Sequence, residues 1–412
     1  MTQPLVAVSS EIGRGHPAYL DSVLTALVRL GLGTRSKLHD NRNCVGRSTV
    51  MSPSGPECLK LPELCRGFSG LPWKAARAGY RFGALGGPAT WLYNRLRAPT
   101  ARPSRLQLSL LGSGLRRRFA GYEGVCVVDH PLLAHILARV CRVAYVHGET
   151  AAPCMAAVPE AWRTFVPLDQ TGRKLEACGL KPEALSVTGL IIEPQLVGQS
   201  EAAYTARLQR LSSSDNPLTI AFFTSGAYPR PHVSQLLRAA VSVVRAGHRA
   251  VLFWGTGWLK AVRVKLALER MGIAEPAATV VWSRDRQGET TRTAELFPQL
   301  DVMVAAAHER TNWAVGLGLP MFVLLPHIGP FARENFEFAQ QQGVCLPLSG
   351  RGHDPIPPGE LGSCPKSEDF GTWLTELRRV GQLVEMSRNG WGKHSITGAE
   401  AAARILLQAV RS

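Results

Sequence analysis

Leu5-Val6-Ala7-Val8-Ser9-Ser10-Glu11-Ile12-Gly13-Arg14-Gly15-His16-Pro17 sets the plan of the whole chain. Four apolar residues make a short β-run, Ser9 to His16 is a glycine-bearing loop, and Pro17 suits the first turn of a helix. Leu20, Val23, Leu24, Leu27 and Val28 then recur at i, i+3, i+4, i+7 and i+8, the stripe of an amphipathic helix. The same plan restarts at Leu218-Thr219-Ile220-Ala221-Phe222-Phe223, followed by the loop Thr224-Ser225-Gly226-Ala227 and a helical pattern over 233–244.

Other apolar runs, at 125–128, 143–146, 250–254, 279–282, 302–304 and 321–325, read as strands buried on both faces. Helical patterns such as 258–271 separate them, and that alternation predicts an α/β protein with parallel sheets. A chain of 412 residues exceeds one ordinary core, so two domains are expected. The break is placed within 193–217, where Leu211-Ser212-Ser213-Ser214-Asp215-Asn216-Pro217 is polar. This predicts a first domain over 1–195, a second over 215–385, and a tail over 386–412 whose helix packs back on the first.

With 45% apolar and 19% charged residues the chain is globular rather than disordered. No run approaches 18 apolar residues, which excludes a membrane-spanning helix. The start Met1-Thr2-Gln3-Pro4-Leu5-Val6 lacks a secretory pattern. Nine scattered cysteines without a C-x-x-C pair point to reduced thiols in a cytoplasm, not to a disulfide framework or a zinc site. No carboxylate-rich metal site is evident, the nearest being the lone Asp285, so no metal is expected.

The net charge of +16 is local. Residues 60–120 hold twelve Lys and Arg against the single acid Glu63, about two thirds of the excess, interleaved with Trp73, Tyr80, Phe82, Trp91 and Tyr93. An anionic partner follows. Nucleic acid is disfavoured, because no helix-turn-helix, zinc-finger or RNP-like pattern occurs. An anionic membrane surface fits better, with aromatics at headgroup depth.

Ligands of open α/β sheets bind outside the carboxyl ends of the strands. Three second-half loops qualify: Thr224-Ser225-Gly226-Ala227, Gly255-Thr256-Gly257 and His308-Glu309-Arg310-Thr311-Asn312. No Walker loop is present, and Gly13-x-Gly15 falls short of G-x-G-x-x-G, which argues against a nicotinamide enzyme. Trp254 and Trp258, flanking Gly255–Gly257, read as core aromatics.

The order of these pieces resembles the two-Rossmann, GT-B type of glycosyltransferase, and within it the MurG N-acetylglucosaminyltransferase and monogalactosyldiacylglycerol synthase families. Gly15-His16-Pro17 looks like their N-terminal Gly-Gly-His loop. Tyr145-Val146-His147-Gly148-Glu149 lies where the MurG family has its His-Glu acceptor loop. The run from Val166 through Gly179 to Val187-Thr188-Gly189-Leu190 is similar to the end of the synthases' first domain. Gly316-Leu317-Gly318-Leu319-Pro320, then Gly329-Pro330 and Asn335, resembles the families' G-x-P strand and the segment after it. Where the families carry a ribose-binding Glu, this sequence has Trp313, and their Gly-rich diphosphate loop is replaced by His308-Glu309-Arg310-Thr311-Asn312. Either Trp313 stacks on the donor, or donor use is lost.

The resemblance implies two Rossmann-like domains with parallel sheets facing a cleft. It implies transfer of a sugar from a nucleotide-sugar, a UDP-sugar by preference, to a hydroxyl acceptor that a lipid could supply. No cofactor beyond that co-substrate is expected, and the location is cytoplasmic, on the inner membrane face. His16 is the expected base, with Asp129 and Glu149 as alternative catalytic carboxylates. Gly15, His130 and His147 would contact acceptor. Ser225, Gly226, Gly255, Glu309, Arg310, Thr311, Asn312, Trp313 and Asn335 would hold the donor. Each has a plainer reading: His16 and Asp129 as helix caps, Glu309–Arg310 as a surface ion pair, Asn335 as a turn residue. Two rival functions stay open, a nucleotide-sugar 2-epimerase and a degenerate, non-catalytic relative that binds lipid or nucleic acid.

Overall fold

The computed structural model describes residues 5–13, 15–32, 51–52, 55–56, 58–65, 70–214, 216–349 and 366–411. Met1–Pro4, Arg14, Cys44, Arg66, Asp215 and Cys364, which entered the sequence reading, lie outside them. The chain divides into two units: Met1–Tyr80 with Tyr93–Pro194 and Ser395–Ser412, and Arg81–Leu92 with Gln195–His394.

The first unit is built on six parallel strands: β1 (Leu5–Ser9), β2 (Cys58–Lys60), β3 (Val125–Val128), β4 (Arg142–Val146), β5 (Arg163–Val166) and β6 (Leu185–Val187), in the order β2-β1-β3-β4-β5-β6. Every residue of β1 and β3 is buried, as continuous apolar runs in a parallel sheet demand. α1 (Gly15–Leu27) packs its Leu20–Val23–Leu27 stripe into this core. The order of strand addition reverses between β1 and β3, which makes that pair the switch point of the sheet.

The crossover from β2 to β3 is the basic segment. It contains α2 (Leu71–Gly83), α3 (Gly87–Leu96) and α4 (Arg105–Phe119). Ser104 caps α4 by accepting the Gln107 N–H at 3.1 Å, and Leu108, Leu111, Leu115 and Phe119 form its buried stripe. The tip of the α2–α3 hairpin, Arg81–Leu92, belongs by its contacts to the second unit, where the Arg230 N–H donates to the Ala84 carbonyl at 3.1 Å.

α5 (Pro131–Leu137) follows β3, and α6 (Asp169–Ala177) follows β5. Cys154 and Cys178 are joined by a disulfide, with Cα atoms 5.1 Å apart. The expectation of reduced thiols throughout therefore fails for this pair. The C-cap of α6 returns beside the turn that carries Cys154, a proximity that their 24-residue separation conceals.

The second unit repeats the plan with β7 (Thr219–Phe223), β8 (Arg249–Thr256), β9 (Ala278–Ser283), β10 (Val302–Ala305), β11 (Met321–Leu324) and β12 (Cys345–Leu348). Their order, β9-β8-β7-β10-β11-β12, is all parallel and doubly wound, with its switch point between β7 and β10. Ser200–Ser212, inside the expected linker, is a helix, α7. It belongs to this unit because Arg207, fully buried, donates to the Leu300, Leu317 and Gly318 carbonyls at 3.0, 2.8 and 3.2 Å. α8 (Arg230–Arg245) follows β7, α9 (Trp258–Arg270) follows β8, α10 (Arg286–Leu296) follows β9, α11 (Thr311–Leu317) follows β10 and α12 (Ala332–Gln341) follows β11. The last helix, α13 (Gly398–Arg411), lies in the first unit against α1, burying Ala402, Ala403 and Leu406 in the same core as Leu20 and Val23.

Candidate functional site

In the first unit the loops after β1 and β3 are tied across the switch point by one carboxylate. Asp129, fully buried, accepts the Ser10 N–H at 2.9 Å and the Ser9 hydroxyl at 3.0 Å. Both oxygens are turned to this loop, so Asp129 anchors it. The helix cap expected of it falls to its neighbour: His130 Nδ1 accepts the Leu132 N–H at 3.2 Å at the start of α5.

His16 stands on the first turn of α1, half-buried, its ring edge-on to that of His130 with centroids 5.0 Å apart. Burial, then the positive character of His16 and Arg97, pushes His130 well below the usual histidine range and keeps it neutral. Arg77 on α2 donates to the Ser10 carbonyl at 3.3 Å. Tyr80, one turn on, brings its hydroxyl to 3.8 Å from where a Cβ at Gly13 would sit. Between them, Glu11 holds a left-handed φ of 52°.

The loop after β4 is internal. His147 donates from Nε2 to the Ala151 carbonyl at 2.8 Å and accepts the Tyr145 hydroxyl on Nδ1 at 3.2 Å, so both ring nitrogens are engaged within the framework. Gly148 must lack a side chain, since a Cβ would lie 2.3 Å from the Tyr19 ring. Glu149 is buried beside Tyr145, whose hydroxyl is pushed well above its usual pKa by burial and by the Glu149 and Asp129 carboxylates. Of the three positions expected to supply a base, only His16 is half-exposed.

The second unit presents a different chemistry. Arg310, at the end of the loop after β10, is nearly buried. Its guanidinium lies 4.2 Å over the Phe223 ring and 5.3 Å from that of Trp313. It is ion-paired to Glu309, with Glu289 at 3.9 Å. Its Nε, the Thr311 hydroxyl and the Ser225 hydroxyl are buried without a hydrogen-bond partner.

Trp313 is 3% exposed and packed edge-on against Phe223 and Phe297, at 5.5 and 6.1 Å. It is enclosed by these rings, with Arg310 lying over it. Asn335, on α12, donates to the Ala307 carbonyl at 3.1 Å and clamps this loop. Asn312 is buried on α11, and Gly226 lies in the loop after β7. Gly255 is inside β8 with φ of 71°, at its carboxyl end. Tyr228, in the loop after β7, has φ of 49°. Among the described residues, Glu11 and Tyr228 are the two non-glycine residues with positive φ, and each follows the first strand of its unit.

Sequence reasoning missed Arg77, Tyr80 and Arg97 as members of the first site. Their signal was the basic, aromatic crossover itself, which was read only as a surface. Missed as well were His232, buried with Nε2 donating to the Pro326 carbonyl at 2.9 Å, and its neighbour His327.

The sequence matches no family model and no curated protein. Solved structures do resemble it. Arabidopsis thaliana UGT89C1 complexed with UDP-L-rhamnose aligns at 12% identity over 100% of both chains, with a TM-score of 0.53. A Listeria monocytogenes protein assigned as a UDP-N-acetylglucosamine 2-epimerase aligns at 13% identity over 98% of this chain and 95% of its own, with a TM-score of 0.50. The likeness at such identities is one of fold: this chain has the paired Rossmann-like domains of the GT-B type.

Proposed function

We propose that this chain is a glycosyltransferase that takes a sugar from a nucleotide-sugar, a UDP-sugar first among them, and places it on a hydroxyl acceptor carried by a lipid, in the manner of the MurG and monogalactosyldiacylglycerol synthase families. One observation carries the reading. Each unit's switch point carries its own equipment: a half-exposed histidine against a neutral one in the first, and unsatisfied hydroxyl and guanidinium groups in the second. His16 takes the acceptor hydroxyl proton as its oxygen attacks the anomeric carbon, and the bond from that carbon to the diphosphate oxygen breaks. Ser225, Thr311 and Arg310 are the groups suited to meet the charge that develops on the leaving diphosphate.

The test starts with nucleotide. A ligand at a hundred times its dissociation constant stabilises a fold by roughly 2.7 kcal/mol, so a thermal-shift screen of UDP, GDP, dTDP, CDP and their sugar conjugates reads it directly. A hit is the expected result; a blank throughout favours the degenerate, non-catalytic relative. Product analysis with and without acceptor separates transfer from 2-epimerisation. His16→Ala should lower turnover about a hundredfold or more while leaving the nucleotide shift in place. Unchanged turnover removes His16 from the mechanism.

The basic crossover is the proposed membrane contact. Its exposed apolar side chains include Phe82, Trp91, Leu96 and Leu106, beside exposed Lys74, Arg81, Arg95 and Arg105. Of the five aromatics read as headgroup anchors, Trp73 is not one: it is buried, and its indole N–H donates to the Leu111 carbonyl at 2.9 Å. Tyr80 and Tyr93 are half-buried against each other, 6.4 Å between ring centroids. Among the described residues no helix is long and apolar enough to cross a membrane. Flotation with anionic vesicles at low salt should carry the protein upward, and neutral vesicles should not.

A further inference from the structure

We infer that the second unit has its own lipid-facing surface, formed by α9, and that its partner is an anionic bilayer. This rests on the membrane reading above but adds a contact that the basic crossover does not contain. Trp258 and Leu259 are 56% and 57% exposed, and Val262 and Leu266 are exposed as well. At about 100° per residue these four fall within roughly 100° of arc. The buried residues of the helix, Ala261, Val264 and Leu268, occupy the opposite side. Lys265, ion-paired with Glu275 at 3.6 Å, borders the exposed apolar stripe on one edge, and exposed Arg263 and Arg270 border the other; exposed Glu269 falls within the arc, in the last turn of the helix. A strip of Trp, Leu and Val with two arginines along one edge, its single acid confined to the last turn, is the pattern of a helix lying in a headgroup layer.

The surface continues beyond α9. Lys260 holds its ammonium 3.8 Å over the Tyr228 ring. Two residues later Arg230 donates to the Ala84 carbonyl, and Pro231 lies 3.3 Å from the Cβ position of Gly86. The hairpin tip held there exposes Phe82, Leu85, Trp91 and Leu92 within the same unit. The turn 228–231 therefore adjoins two exposed apolar sets. A second copy of the chain is the weaker occupant, because a two-fold contact would bring the basic borders of α9 against themselves, whereas anionic lipid complements them.

Flotation of the full chain with phosphatidylcholine vesicles, with and without phosphatidylglycerol, tests this. Two variants are compared with the wild type, L259S/V262S/L266S and R263E/R270E, each checked by circular dichroism and melting. All five positions are exposed, so the fold should persist. Each engaged basic side chain is worth roughly fivefold in partition, so R263E/R270E should bind anionic vesicles at least about thirtyfold more weakly. The triple serine variant should lose binding to a similar degree.

If the wild type floats and both variants float equally well, α9 is not a membrane surface, while the crossover reading stands. If the wild type does not float at all, both fall. Unchanged flotation with a dimer that dissociates in the serine variant, seen by analytical ultracentrifugation, assigns α9 to a contact between copies and overturns the inference.

Discussion

Arg310 is the residue on which donor chemistry turns, and its surroundings are mixed. Phe223 and Trp313 floor it, while Glu309 and Glu289 compete for the same guanidinium that a diphosphate would need. Glu309→Gln should therefore tighten nucleoside diphosphate binding. Arg310→Gln should weaken it by about tenfold or more, the worth of a charge-assisted hydrogen bond. Calorimetric titration with the nucleotide found in the screen reads both, and equal affinities would place the diphosphate elsewhere. A second residue-scale consequence comes from His232 and His327, whose pKa values burial pulls down to about 4 and about 3, with His308 adding to the fall for both and His232 and Arg333 for His327. Unfolded imidazoles bind protons near pH 6.5, so the unfolded state takes up protons first as the solution is acidified. Stability is full above pH 6.5 and is lost as pH falls toward 4. Melting curves at pH 7.5, 6 and 5 should show a falling midpoint. The fall should be shallower in His327→Gln, and equal slopes would exclude this pair.

At the scale of elements, α7 shows how one side chain assigns a helix to a unit. Arg207 donates from Nε and Nη1 to the Leu300, Leu317 and Gly318 carbonyls, and burial lowers its own pKa to about 10. Arg207→Ala removes a donor from the Leu300 and Leu317 carbonyls, while Gly318 keeps the Ser387 hydroxyl, and it opens a cavity, so it should cost about 3 kcal/mol in denaturant unfolding. Arg207→Lys should recover only part, because one ammonium cannot span the same acceptors. A loss below about 0.5 kcal/mol would mean that water satisfies the carbonyls. The short β2 shows the opposite case. Three residues, Cys58–Lys60, pair with β1 yet are only partly buried, so no apolar run announces them. Where the apolar run is long and buried on both faces, as in β7 and β8, strand bounds read from sequence differ from the structure by a residue or two.

For the whole molecule, the chain terminus closes the first unit. Ala402, Ala403 and Leu406 of α13 share a core with Leu20 and Val23, so Leu406→Ala should cost about 2–5 kcal/mol. The loss should fall on the first unit, and hydrogen exchange should show faster opening of β1 and α1 than of β7. Uniform acceleration in both units would show that they unfold together.

The sequence alone determined the architecture, because buried parallel strands and amphipathic helices leave periodic signatures that local physics forces. It also located the loops at the strand ends, since a strand followed by glycine and a helix start is a local pattern. Tertiary structure alone decided what the side chains in those loops do. Trp313 reads as a stacking surface until Phe223 and Phe297 enclose it, and Trp258 reads as core until the fold leaves it exposed. That Asp129 ties Ser9 and Ser10 together is not legible in the sequence, and Cys154 reads as a lone thiol until Cys178 arrives. Each of these outcomes depends on neighbours beyond the local stretch of chain, and burial, hydrogen bonding and charge at a site are sums over such neighbours.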